Sequence, residues 1–197
     1  MGAFVAKNGW IRLPIDPQLE DVAQDFRKER DEIYGNIYEE KDTDSRWVGD
    51  LGEWVFNSFL GASGINGSQW LKEQDAAGKA DFILPGDFSL GVKTVKRKVT
   101  PKPSYTAQIT AKHAKEPVHG YFFLCYDFVQ RSMWLLGGIS KEKFLRYAKY
   151  YGPGDKVHDN YTIRPGHEIY NIELKHLTPP QRFLDLALSL QQSAQVA

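Results

Sequence analysis

One cysteine in 197 residues leaves no partner for an intramolecular disulfide. Cys125 lies in the apolar run Tyr121-Phe122-Phe123-Leu124-Cys125-Tyr126, which marks it as core packing and suits a reducing compartment. A surplus of charge is missing too. Lys and Arg total 25 and Asp and Glu total 25, so bulk charge points to no nucleic-acid or membrane partner, and any such signal must be local. No apolar stretch approaches the length needed to span a bilayer. Met1-Gly2-Ala3-Phe4-Val5-Ala6-Lys7 lacks the apolar run of a signal peptide, and Ala6 stands where a myristoylation signal wants a hydroxyl. A cytoplasmic protein with no membrane attachment is therefore expected. The histidines, His113, His119, His158, His167 and His176, have no close ligand spacing and, with one cysteine, predict no zinc site.

What the chain does have is core material. Apolar residues make up 42% and aromatics 13%, enough for one domain over 1–197. Pro17 opens a charged segment with Leu19, Val22, Phe26, Ile33 and Tyr34 at helical spacing, predicting a surface helix over 17–38. A second helix is expected over 45–60, with Val48, Leu51, Val55 and Phe59 as its apolar stripe and Gly61-Ala62-Ser63-Gly64 as its stop. From residue 79 short runs alternate with turn residues, predicting strands near 80–84, 88–95, 105–110, 120–128 and 133–139. Pro85-Gly86-Asp87 makes the first two a hairpin. Ser140 is read as the N-cap of a helix over 141–150, so that Tyr147, Tyr150 and Tyr151 serve helix packing. A polar loop over 151–166, a strand over 168–174 and a helix over 180–191 complete an α/β pattern.

Three charged residues occupy segments that look buried. Asp81 precedes Phe82-Ile83-Leu84, Lys93 follows Leu90-Gly91-Val92, and Glu53 shares a helical line with Gly49, Phe56 and Leu60. Charges are seldom placed so without partners. A local basic zone adjoins them. Lys93, Lys96, Arg97, Lys98, Lys102, Lys112 and Lys115 appear with no Asp or Glu among them, as contacts to a phosphate backbone require. Tyr105 offers a stacking surface for a single strand.

The order helix glutamate, strand aspartate, then lysine on the next strand resembles the PD-(D/E)XK nucleases over about residues 45–175. The matches are Glu53 in Gly52-Glu53-Trp54, Asp81 in Ala80-Asp81-Phe82, and Lys93 in Gly91-Val92-Lys93-Thr94. The resemblance implies a restriction-endonuclease-like core, a central mixed β-sheet flanked by helices. It also implies a Mg²⁺- or Mn²⁺-dependent DNA endonuclease, with Asp81 and Glu53 as metal ligands. Lys93 would orient the attacking water, hold the scissile phosphate, or give up a proton. Gln108 resembles a glutamine that places the nucleic-acid backbone in several subfamilies. Gly91 departs from the pattern, since the family usually carries its second acidic ligand there, and Glu53 is the candidate to make up the oxygen donors that Mg²⁺ prefers. The loop over 151–166, with Lys156 and Arg164, would cover the site, and a homodimer would serve if both strands are cut. Two alternatives stand beside this reading: a nuclease-like domain that binds nucleic acid without cutting, and a protein-interaction module.

Overall fold

The computed structural model describes residues 3–34, 45–71 and 79–194. Two short strands, β1 (Phe4–Val5) and β2 (Ile11–Pro14), precede helices α1 (Pro17–Tyr34) and α2 (Trp47–Ala62). Then come β3 (Gln69–Trp70), β4 (Phe82–Leu84), β5 (Phe88–Arg97), β6 (Thr106–Thr110), the single turn α3 (Ala111–Ala114), β7 (Gly120–Asp127) and β8 (Ser132–Ser140). The chain continues through α4 (Lys141–Tyr147), β9 (Lys149–Tyr151), β10 (Lys156–His158), β11 (Tyr161–Thr162), β12 (Ile169–Glu173) and α5 (Pro180–Ala194).

Seven strands form one mixed sheet in the order β1-β2-β8-β7-β5-β4-β3. Its centre is β7, whose run Gly-Tyr-Phe-Phe-Leu-Cys-Tyr-Asp is buried at every position because both faces of the sheet are covered. On one face Val48, Leu51, Val55, Phe56 and Leu60 of α2 pack with Phe183, Leu184 and Ala187 of α5 against Phe82, Leu90, Phe122 and Leu135. On the other, Tyr121, Phe123, Cys125 and Leu136 meet Ala107, Ile109, Ile172 and Phe144. That second layer is a three-stranded antiparallel sheet, β6-β12-β9, with α3 and α4 beside it.

The single parallel pair in the large sheet, β5 with β7, requires a crossover, and the chain makes it through β6 and α3. β4 pairs with β5 only over Phe88–Leu90, while β5 runs on beside β7 to Arg97. The ladder therefore opens on one side just beyond Leu90. α2 lies close to this opening. A Cβ at Gly52 would fall 1.9 Å from Thr94 Oγ1, so only glycine lets the helix approach β5 there. α2 is clamped to α1 by Asp50, which accepts from Arg27 Nε (2.7 Å), a second Arg27 nitrogen (2.6 Å) and Arg30 (2.9 Å).

Most expected elements are present with ends shifted by a few residues. Ser140 does cap α4, its hydroxyl accepting from the Lys143 N–H, but the helix stops at Tyr147. After Ala148, residues Lys149–Tyr151 pair with β12, placing Tyr151 opposite Ile169 and Tyr150 opposite Tyr170. Tyr150 and Tyr151 are thus strand residues, drawn to an open edge by β propensity and a tyrosine pair with ring centroids 5.1 Å apart. The segment read as a loop over 151–166 carries the β10–β11 hairpin. Residues 35–38, the end assigned to the first helix, lie outside the described residues. β1, β2, β3 and α3 were not expected; each has four residues or fewer, too short to show a period. No helix among the described residues is long and apolar enough to cross a membrane.

Candidate active site

Asp81 lies one residue before β4, where its N–H still donates to Leu90 C=O (3.0 Å). Beyond that bond the neighbouring strand is gone, and the Asp81 side chain takes its place: Oδ2 accepts from the Val92 N–H at 2.6 Å. The same oxygen accepts from Lys93 Nζ at 3.2 Å. Hairpin geometry explains the meeting, since the register that puts Phe82 opposite Leu90 brings Asp81 to the open end of the ladder beside Gly91. Alternation along β5 sets the faces. Val92 belongs to the core under α2, while Val95 packs with the opposite core, so Lys93 projects toward the second layer.

Glu53 reaches the same opening from α2 because Gly52 seats the helix on Thr94. Its Oε2 accepts from the Trp70 indole N–H at 2.9 Å. Burial, and then the negative charge of Asp81, push the Glu53 carboxyl up to about 7, against the Trp70 hydrogen bond and Lys93. Burial acts on Lys93 in the opposite sense, but Asp81, Glu116 and Glu53 outweigh it and hold the ammonium above its ordinary range. Of the three parts open to Lys93, surrender of a proton is the one this environment opposes. The structure thus brings Glu53, Asp81 and Lys93 together.

Two further residues join them that the motif did not indicate. Glu116, whose side chain is only 5% exposed, places Oε2 3.9 Å from Lys93 Nζ. Its other oxygen is 3.7 Å from His113 Nε2. His113 Nδ1 sits 2.8 Å from Thr110 Oγ1, and burial followed by the charge of Lys93 pushes the imidazole down to about 4, so it is neutral at ordinary pH. Glu116 had one visible signal, as the first acid after the basic stretch, but its burial beside Lys93 depends on the β5-to-β7 crossover and is not a local property.

Gln108 is not part of the cluster. Ala107 and Ile109 turn inward from β6, and Gln108 between them is exposed on the outer side of the small sheet, paired in register with Asn171. The basic residues divide likewise. Lys96, Lys98, Lys102, Lys112 and Lys115 are exposed. By alternation Lys96 leaves β5 on the face opposite Lys93. Arg97 is occupied structurally, donating to Thr106 C=O with its guanidinium 4.9 Å from the Tyr105 ring centre. Lys102 Nζ stands 5.9 Å from the same ring, so Tyr105 already carries two cations. A separate open depression of about 560 Å³ lies behind α3, lined by Ala111, Ala114, Lys115, Leu145, Tyr150, Glu168 and Tyr170.

As a place for a cation, the cluster offers hard oxygen donors. Among the described residues no group of three or more His, Cys, Asp or Glu is arranged to hold a metal. Mg²⁺ commonly takes one or two protein carboxylates and keeps its waters, and two carboxylates at one opening, the proton of one held by burial and by the charge of the other, fit that need. No family model matches the chain, and no curated protein matches it.

Proposed function

We propose that this chain is a Mg²⁺- or Mn²⁺-dependent nuclease that hydrolyses phosphodiester bonds, acting on DNA through a restriction-endonuclease-like core. The observation that carries the reading is the joining of Asp81 and Lys93 at the opening of the β4–β5 ladder with Glu53 beside them. The order of elements supports it as well: a helix bearing the glutamate, a hairpin bearing aspartate and lysine, and a crossover to a parallel strand.

Asp81 and Glu53 would hold the ion, which supplies a Lewis acid and a more acidic bound water when present. Lys93, kept protonated by its carboxylate neighbours, would meet the scissile phosphate as a fixed positive charge rather than as a base. His113, neutral and beside the cluster, offers an uncharged imidazole on the Glu116 side. Lys98, Lys102 and Lys112 are exposed and would contact backbone phosphates flanking the cut. Cleavage that leaves a 5′-phosphate, by analogy with the nucleases it resembles, and a homodimer on duplex DNA belong to the same reading.

Nicking of supercoiled plasmid in Mg²⁺ or Mn²⁺ tests it, with chelator, Asp81→Ala and Lys93→Ala each abolishing the activity. A second reading, binding without cleavage, is favoured by one observation: Asp81 Oδ2 is already shared by Val92 and Lys93, and Gly91 adds no acid. Salt-sensitive affinity for DNA without metal-dependent nicking would select it, and absence of both would leave an interaction module.

A further inference from the structure

The space at Gly91 is not open. A Cβ there would lie 3.1 Å from Cδ1 of Tyr121 and 3.6 Å from Cε of Lys93. Tyr121 is fully buried and cannot swing aside freely, since its hydroxyl donates to His113 C=O (3.2 Å) while its ring packs on Phe144 with centroids 5.1 Å apart. A side chain at position 91 would press on this ring, which would have to give by a few tenths of an ångström. A carboxylate arrives on the same flank of Lys93 by another route. Glu116 follows α3, its N–H donating to His113 C=O (3.1 Å) and its own carbonyl accepting from Lys141 Nζ, with Pro117 next in the chain. The backbone is held on both sides, and the side chain is buried. Its carboxylate lies on the His113 and Tyr121 side of Lys93, whereas Glu53 lies on the Trp70 side. Lys93 Nζ thus has two carboxylates within 4 Å, Asp81 at 3.2 Å and Glu116 at 3.9 Å.

We propose that Glu116 is the positioning residue for Lys93. It holds the ammonium from the His113 and Tyr121 side, and supplies from the crossover the negative charge that Gly91 cannot supply from β5. The functional consequence rests on the nuclease reading; the positioning itself does not. Glu116 acts through Lys93 and is not assigned as a metal ligand, so its loss impairs placement of the phosphate-binding charge and leaves cation binding in place.

The test uses the full chain with Glu116→Gln, and Glu116→Asp as a second variant that keeps the charge one methylene short. In metal-free protein the ¹⁵N ammonium resonance of Lys93, identified by its disappearance in Lys93→Arg, reports how firmly Nζ is held. It is expected to be sharp in the native chain, weaker in Glu116→Asp and broadened beyond detection in Glu116→Gln. Mn²⁺ affinity read by electron paramagnetic resonance should change by less than about 2-fold, while Asp81→Ala abolishes it. In plasmid nicking, Glu116→Gln should lower kcat by about 10- to 100-fold with KM nearly unchanged, the cost of a misplaced charge. An unchanged Lys93 resonance in folded Glu116→Gln overturns the proposal. So does loss of Mn²⁺ affinity equal to that of Asp81→Ala. If the native chain cuts no substrate, the nuclease reading fails, and the resonance still decides whether Glu116 positions Lys93.

Discussion

Glu53 ties the candidate site to stability in a way that a titration of unfolding can read. Its carboxyl is pushed from an ordinary 4.5 to about 7 by burial and by Asp81. A raised acid holds its proton more tightly in the folded state than in the unfolded one. Its contribution to stability is therefore full below about pH 4.5, falls as pH rises from there to about 7, and is lost above. At about 1.4 kcal/mol for each pH unit between the two values, the loss is on the order of 3 kcal/mol. Urea unfolding of metal-free protein from pH 4 to 8 measures it against Glu53→Gln, whose amide oxygen still accepts from Trp70 but does not titrate. The native chain should lose stability relative to the variant across that window and run parallel to it at higher pH. Mg²⁺ should restore the native chain more at pH 8 than at pH 5, because it binds the ionised pair, and should do little for Glu53→Gln. Parallel curves for the two proteins across the whole range would refute the coupling of Glu53 to Asp81 and, with it, the case for a cation between them.

Gly52→Ala should destabilise the fold by about 2–3 kcal/mol in urea unfolding, since its new methyl must displace Thr94 or lift α2 off β5. Metal-dependent nicking should fall with it, because Glu53 rides on the same turn. His113, pushed down to about 4, should show ring ¹⁵N shifts that stay flat from pH 8 to pH 5 and move only in more acidic solution. Its contribution to stability is present above about 6.5 and lost as pH falls toward 4, so His113→Gln should flatten the acid limb of the unfolding curve. DNA affinity should weaken with salt, and the combined Lys98→Ala/Lys102→Ala/Lys112→Ala variant should lower the log–log slope by about 2–3 for duplex DNA.

The part of the site legible in the sequence is the part built by local geometry. Asp81 sits just before β4 and Lys93 within β5, strands joined by a three-residue turn with Asp87 in the left-handed region (φ 61°), so their meeting follows from hairpin register alone. Glu53 was legible because helical spacing places it on a stripe with Gly49 and Phe56. The face of α2 is broader than the expected stripe: Gly52, Phe56 and Leu60 are also buried against the sheet, and Asp50 is buried under Arg27 and Arg30 of α1. Glu116 and His113 were hidden for a topological reason. Only the parallel pairing of β5 and β7 carries the crossover back across Lys93, and no pattern within residues 98–119 reports that return. Gln108 failed the opposite way, since strand alternation about Ala107 and Ile109 already turned it outward, which matters only once the inner side of β6 is known. The helix ended early at Tyr147 because a strand edge elsewhere competed for Lys149–Tyr151, a contest that propensity within one segment does not decide.

The parallel pair also orders events in time. A ribosome that has released the chain only as far as β5 has supplied the aspartate and lysine of the hairpin, which can meet at once. The second carboxylate beside that lysine, from Glu116, waits until residues beyond 120 have been made and threaded alongside β5. Assembly of the full constellation is therefore coupled to completion of the sheet, and a nascent or prematurely terminated product carries the hairpin without its finished electrostatic setting.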